Sequence, residues 1–583
     1  MAPPSSLGKF NNSQSNFYRY NQKTYRVERI DFSMSPETTF DREGTQVSYS
    51  QYYKEKYQEA INDTNQPLLI NKDRRTGVEI ALIPELCQLT GLTDAMRADF
   101  RLMKDLAQIC HTNAEKKINE CKGLFQTFAQ NEKCKQKQKD WHLKFVDTPA
   151  AVDGYKYDAG NMVMGPTPSG APNQFDIERS ASDLERKVQA KMFTQPALKS
   201  WGIFHGDRDA QTANQFKSTM KQCLDQVGFE ADDPAMYSVR PGMKADAWIK
   251  ELKKQLNDGI QMVVLILPGQ KSPTNPLYNA CKRFLLQEYP IPSQVVLTNT
   301  ISRGKNVRSI ISKVLIQMNA KLGGIPWAVD KLPFMDKPTM ICGLDVFHDA
   351  KLGKRSVMAL AASTNNTATT YWSTSVVQDD VGQEASNNLC VGMTGALEAF
   401  KKANGAFPAR IIFYRDGVGE GQVEGICRGE IVQIKQAISN SGLGDKCPLI
   451  YLNCSKRVNT RLFGGNPGRF QNPEPGTVVD SGITDKDTYE FYLVSVGARQ
   501  GMSMPTRYTV IYDDLKAAPN DIEHLTYKLC FTYYNVNGAI KEPSVIRYAH
   551  RLAALVGERG SKQLEPPTVH KGFEEKEPSL YFI

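Results

Sequence analysis

Asp345, Glu384, Asp416 and His550, spread along the second half of the chain, are the residues whose types could do chemistry together. Asp345 follows the apolar run Met340–Leu344, which reads as a buried strand. Asp416 sits in RIIFYRDGVGEGQ (Arg410–Gln422), a second strand that ends in a glycine-rich turn. Two carboxylates at neighbouring strand ends offer hard oxygen ligands suited to Mg²⁺ or Mn²⁺. Glu384 and His550 would complete a cage for a two-metal, in-line displacement at phosphate, which points to a nuclease. Each residue alone has a plainer reading. A strand-end Asp is commonly a turn or cap residue, His550 could be a hydrogen-bonded surface histidine on a helix, and Glu384 by itself says almost nothing.

The elements that would position these residues are those of an α/β chain. Up to about residue 330, apolar strands such as Gln261–Leu267 alternate with helical segments, the pattern of a parallel α/β domain. A second α/β domain, from about residue 335, carries the acids. Residues from about 95 to 145 have a helical pattern rich in lysine, and 150–175 are rich in Pro, Gly and Ala and read as a linker. The start of the chain shows β-like alternation in Lys23–Ile30 and an aromatic-rich stretch, Tyr49–Tyr57.

Seven ordered blocks resemble the PIWI clade of Argonaute proteins: GLDVFHD (Gly343–Asp349), QDDVGQE (Gln378–Glu384), YRDGVGEGQ (Tyr414–Gln422), KRVNTR (Lys456–Arg461), QNPEPGTVV (Gln471–Val479), LTYKLC (Leu525–Cys530) and YAHRLA (Tyr548–Ala553). The resemblance implies a multidomain α/β fold. Residues 1–100 would be the C-terminal part of a PAZ β-barrel, 101–245 a linker region with helices, 246–335 a MID domain with a parallel sheet, and 336–583 a PIWI domain with an RNase H-like fold. A family member would carry an N-terminal domain and the first PAZ strands before this point, so the chain is expected to be a fragment, a truncated gene product or a short isoform.

By the same resemblance, Asp345, Glu384, Asp416 and His550 would be the catalytic tetrad. Asp345, Asp416 and His550 would hold Mg²⁺ or Mn²⁺, and Glu384 would swing in on its loop. Tyr278, Lys282, Gln294, Gln317 and Lys321 fall on the pocket for the guide's 5′-phosphate. Tyr278 and Lys282, and likewise Gln317 and Lys321, are four apart and share a helix face. An amphipathic surface pair is the plainer reading of the first two. Gln317 stands where many Argonautes have lysine, and in this clade a bound Mg²⁺, held in part by the C-terminal carboxylate (here Ile583), replaces the lost charge. Phe40, Tyr52, Tyr57 and Leu82 would line the cleft for the guide's 3′ end, although aromatics filling a small barrel core fit the same positions. Lys456, Arg457 and Arg461 would contact guide phosphates, with Arg499 and Lys528 as weaker candidates.

The partners implied are a small piRNA-like guide, complementary target RNA, and Tudor-domain proteins through an N-terminal tail. The setting implied is germline transposon silencing in the cytoplasm. The activity implied is that of a guide-directed slicer endoribonuclease leaving 5′-phosphate products. Two rivals stand beside it: a guide-dependent silencing platform that does not cut, and an RNase H-like recombinase, which would need no 5′-phosphate pocket.

Composition agrees with a globular nucleic-acid binder without requiring one. The chain has 583 residues, enough for three or four domains, with a formal net charge of +9. That charge favours an anionic partner only where it clusters. There is no uninterrupted apolar stretch of roughly eighteen residues and no apolar signal core at the N-terminus. The 12 cysteines are dispersed with no Cys-x-x-Cys pair and read as reduced thiols, and the 7 histidines do not pair at zinc-ligand spacing. No Walker-type loop is present, so ATP hydrolysis is not indicated.

Overall fold

A computed structural model describes residues 16–19, 24–42, 44–72, 78–90, 92, 96–97, 99–146, 148–167, 169–181, 183–268, 276–302, 306–348, 356–378, 388–466, 468–557, 569, 572–575 and 579–583. The chain divides into two compact units, Met1–Thr112 and Asn113–Ile583. Among the described residues, no helix is long and apolar enough to cross a membrane.

The first unit is built from short antiparallel strands. Arg29–Asp31, Leu68–Lys72 and Glu79–Leu82 form one sheet, Thr24–Arg26, Asn16–Arg19 and Cys87–Thr90 another, and Thr39–Arg42 pairs with Thr45–Ser48. The helix Tyr49–Tyr57 follows that hairpin, capped by the Ser48 side chain, which accepts from the Gln51 N–H.

In the second unit, β1 (Trp201–Gly206), β2 (Ala235–Val239), β3 (Met262–Leu267) and β4 (Ser293–Leu297) form a parallel sheet in the order β2-β1-β3-β4. Every residue of β3 is buried, as a parallel strand covered on both faces requires. Helices α1 (Pro276–Arg283) and α2 (Val307–Lys321) flank β4 in sequence. The sheet takes in β1 and β2, both of which precede residue 246. Glycines and a histidine dilute the apolar signal of β1 (WGIFHG).

A nine-stranded mixed sheet follows. β5 (Thr339–His348), β6 (Ser356–Ser363), β7 (Tyr371–Gln378), β8 (Arg410–Asp416), β9 (Leu449–Ser455), β10 (Thr477–Val479), β11 (Tyr489–Val494) and β12 (Thr506–Asp513) run in the order β7-β6-β5-β8-β9-β12-β11-β10. Tyr155–Lys156 adds the outermost strand by pairing with Val478 and Thr477. The stretch that reads as a linker is thus stitched to the sheet edge at a partner too distant in sequence to be anticipated.

The central strands β5, β8 and β9 are parallel and apolar on both faces. Met340, Cys342, Leu344, Ile411, Phe413, Leu449 and Tyr451 face helices α3 (Leu389–Asn404) and α4 (Val423–Asn440). Ile341, Ile412, Tyr414, Ile450 and Leu452 face the opposite way, toward helix α5 (Ser544–Gly557). The two-residue period of a strand therefore puts Asp345 and Asp416 on the α5 side.

Candidate active site

Register brings the two acids together. Leu344 pairs with Arg415 across β5 and β8, so the next residue of each strand is an aspartate. Helix α5 supplies the third group. It is buried almost throughout, and its half-buried polar positions Arg547, His550 and Arg551 form one stripe. The helix can lie this close because Gly343 has no side chain: a Cβ there would sit 2.6 Å from the Val545 carbonyl carbon and oxygen. Gly557 meets the Phe347 ring in the same way at the other end of the helix.

Ligand atoms of Asp345, Asp416 and His550 all lie within 4.8 Å of one another. His550 Nδ1 is 2.8 Å from Asp345 Oδ2. Burial pushes the Asp345 carboxyl up, but the hydrogen bond to His550 and the nearby cationic groups outweigh it, leaving its pKa below the ordinary value. Asp416 goes the other way. Burial raises it, the Lys456 ammonium opposes that, and the Asp345 charge adds to it, so the net shift is upward. Among the described residues, Asp416 Oδ1 is buried and has no hydrogen-bond partner. Two hard carboxylates, one of them with an orphaned buried oxygen, and an imidazole fit a divalent cation. Glu384 lies outside the described residues.

Sequence reasoning missed what stands behind Asp416. Arg415 is fully buried and donates from Nε to both oxygens of Glu430, each at 3.2 Å, while its NH1 donates to the Asp416 carbonyl at 2.6 Å. Tyr451 OH donates to Glu430 at 2.5 Å. An arginine inside an apolar strand was the available signal, since a buried guanidinium must find an acid. Lys456 also turns out differently. Its Nζ lies 2.5 Å from Asp416 Oδ2, inside the site, whereas Arg457 is exposed. Arg461 spends hydrogen bonds on the carbonyls of Val458 and Thr460. Lys528 is buried against Asp330, and Arg499 is exposed.

A second cluster gathers four of the five expected phosphate-pocket residues. Lys282 Nζ donates to Ser293 O (2.9 Å) and Oγ (2.7 Å), and Lys321 Nζ donates to Ser293 O (3.0 Å) and Gln294 Oε1 (2.8 Å). Gln294 Nε2 donates to Gln317 Oε1, and Gln317 Nε2 to Asn535 Oδ1. Complete burial, with the Arg551 charge adding to it, brings the Lys321 ammonium down to about 7. Tyr278 is half-buried on α1. The chain's last residues fold in beside this cluster: Leu580 N–H donates to the carbonyl of Ala320, and Ile583 is buried.

In the first unit, Phe40 and Tyr52 meet edge to face with centroids 5.5 Å apart, and Tyr52 meets Tyr57 at 6.0 Å. All three rings are half-buried, with Arg42 over Tyr52. Leu82 is fully buried and belongs to the core, not to a cleft wall.

The mixed sheet with paired acids defines an RNase H-like Piwi domain. The Piwi domain pattern matches residues 262–560, and the PAZ domain pattern matches residues 12–113. The chain is 36% identical over 547 residues to Piwi-like protein 1 of Gallus gallus, covering 93% of this chain and 61% of that protein. The crystal structure of Drosophila Piwi superposes with a TM-score of 0.75 at 26% identity, over 100% of this chain and 75% of that one. Kluyveromyces polysporus Argonaute with a guide RNA shares the fold, with a TM-score of 0.69 at 17% identity, over 100% of this chain and 68% of that one. The chain belongs to the Piwi-like Argonaute family. It spans 58% to 63% of the length of the relatives it matches.

Proposed function

We propose that this protein binds a small piRNA-like guide RNA and cleaves RNA complementary to it, acting in transposon silencing. The observation that carries this reading is the convergence of Asp345, Asp416 and His550 within 4.8 Å. It occurs in a chain that also buries Lys282 and Lys321 around one carbonyl.

In this reading Lys282, Lys321, Gln294 and Gln317 hold the guide's 5′-phosphate, with Tyr278 stacking on the first base. The Ile583 carboxylate helps keep a Mg²⁺ there. Phe40, Tyr52 and Tyr57 take the 3′ end, and Arg457 and Arg461 touch backbone phosphates, which positions the strand without reading its sequence. Base pairing supplies specificity. At the catalytic centre Asp345 and Asp416 would hold divalent ions, with His550 and Glu384 completing the set. Such ions supply an activated water and offset charge on the leaving oxygen. The chain's own contribution is geometric: Asp345 fixes the imidazole, Arg415 fixes the Asp416 backbone, and burial keeps bulk water from competing for the acids. The products would carry a 3′-hydroxyl and a 5′-phosphate. Tudor-domain partners and a cytoplasmic setting belong to the same reading.

A guide-dependent platform that binds but does not cut is the rival reading. The two readings part in one experiment. Protein loaded with a 5′-phosphorylated guide is incubated with labelled complementary RNA and Mg²⁺. A single cut at a fixed guide position, lost in Asp345→Ala and Asp416→Ala, supports the slicer. Target binding without a cut leaves the platform, and cutting that ignores the guide overturns both.

A further inference from the structure

Lys456 is shared between two acids. Its Nζ is 2.5 Å from Asp416 Oδ2 and 3.7 Å from Glu542 Oε1. Glu542 is buried two residues before α5, and its Oε1 is also 3.6 Å from Arg547 NH1. Glu542 lies outside the triad whose ligand atoms converge, so it is no direct candidate for metal. A buried carboxylate with two cations at the edge of a metal centre nonetheless bears on that centre's charge.

The arrangement poses an electrostatic problem. An ammonium on Asp416 and a divalent cation on the same carboxylate repel each other across a few ångströms in a buried, weakly screened site. A cation on the orphaned Asp416 Oδ1 therefore favours a Lys456 that gives up Oδ2, and giving it up costs a charge-assisted hydrogen bond. Glu542 offers the replacement: it is the second carboxylate already within reach of the same Nζ. Lys456 leaves the chain one residue after β9, so its stem is anchored while its tip can swing between the two acids.

We propose that Glu542 is a positioning residue that receives the Lys456 ammonium when a divalent cation takes Asp416, and so sets the metal affinity of the catalytic centre. The inference rests on the reading of Asp345, Asp416 and His550 as a metal site.

Mn²⁺ binding to the guide-free full chain, followed by the electron spin resonance of free Mn²⁺ and by calorimetry, tests the idea without any turnover. Glu542→Gln should weaken Mn²⁺ roughly tenfold, the effect of losing one charge-assisted hydrogen bond. Lys456→Met should tighten it. In the Lys456→Met background, Glu542→Gln should change affinity less than about twofold, because no ammonium remains to be received. If Glu542→Gln weakens Mn²⁺ equally with and without Lys456, Glu542 acts only through its field and the proposal fails. It fails too if Glu542→Gln has no effect. Lys456→Gln replaces Lys456→Met should the latter not fold, since the amide still bonds both acids without a charge. Absence of any Mn²⁺ binding by the parent chain, at a level that Asp345→Ala leaves unchanged, overturns the metal reading itself.

Discussion

His550 Nδ1 and Asp345 Oδ2 meet at 2.8 Å across a sequence separation of 205 residues. Neither residue could find the other without the helix–strand contact at Gly343, where a side chain would collide with the backbone of Val545 and Ile546. The site is therefore set by backbone approach as much as by its polar groups.

A first test follows from that approach. Gly343→Ala should push α5 off β5, destabilising the fold by about 1–3 kcal/mol as overpacking does. Mn²⁺ binding should fall further than the stability loss alone accounts for. Denaturant melts beside Mn²⁺ titrations check this. Unchanged metal affinity in a destabilised but folded variant would contradict the positioning role.

The buried Arg415–Glu430 pair gives a second test. Glu430→Gln leaves a guanidinium uncompensated in the core and should cost about 3–5 kcal/mol. Replacing both residues, Arg415→Met with Glu430→Leu, should recover much of that stability while leaving the Asp416 carbonyl without its donor. Metal binding should therefore stay weakened in the double variant although its melting transition returns toward the parent's. Full recovery of both would reduce the pair to packing.

Lys321 makes the third test one of pH. Its ordinary value is 10.5 and burial brings it to about 7, so between those limits the unfolded chain holds more protons than the folded one. Fold stability should then rise with pH across that window, the burial cost being complete below 7 and gone above 10.5. A bound phosphate favours the charged ammonium and reverses the shift. The affinity advantage of a 5′-phosphorylated over a 5′-hydroxyl guide should be largest near pH 7 and shrink toward pH 9, with proton uptake on binding. Calorimetry in buffers of different ionisation enthalpy measures it, and a ratio flat across that range in the parent chain, as in Lys321→Met, would refute it.

Much of the acid cluster was legible in the sequence, because apolar runs that reach an aspartate mark buried strands; β8 does end at Asp416, whereas β5 runs on past Asp345 to His348. Periodicity placed Asp345 and Asp416 on buried strands, and the family resemblance singled them out from turn or cap residues. Placing His550 needed the family resemblance, since an amphipathic helix does not announce where it will dock. The direction of a long side chain was not legible. Lys456 and Lys528 both read as candidates to grip a strand, yet one turns into the acids and the other is buried on Asp330. Nor could local pattern reveal that Tyr155–Lys156 closes a sheet by pairing with Val478 and Thr477, or that β1 opens the parallel domain. Pairings between distant segments leave no local periodicity to read.

The polar stripe on α5 has a consequence for reach. His550 attends the acids, while Arg551, the next residue, presses its charge on Lys321 in the other cluster. Two adjacent residues of one helix thus answer to the acids and to the buried lysines, so a change that rotates α5 disturbs both clusters together.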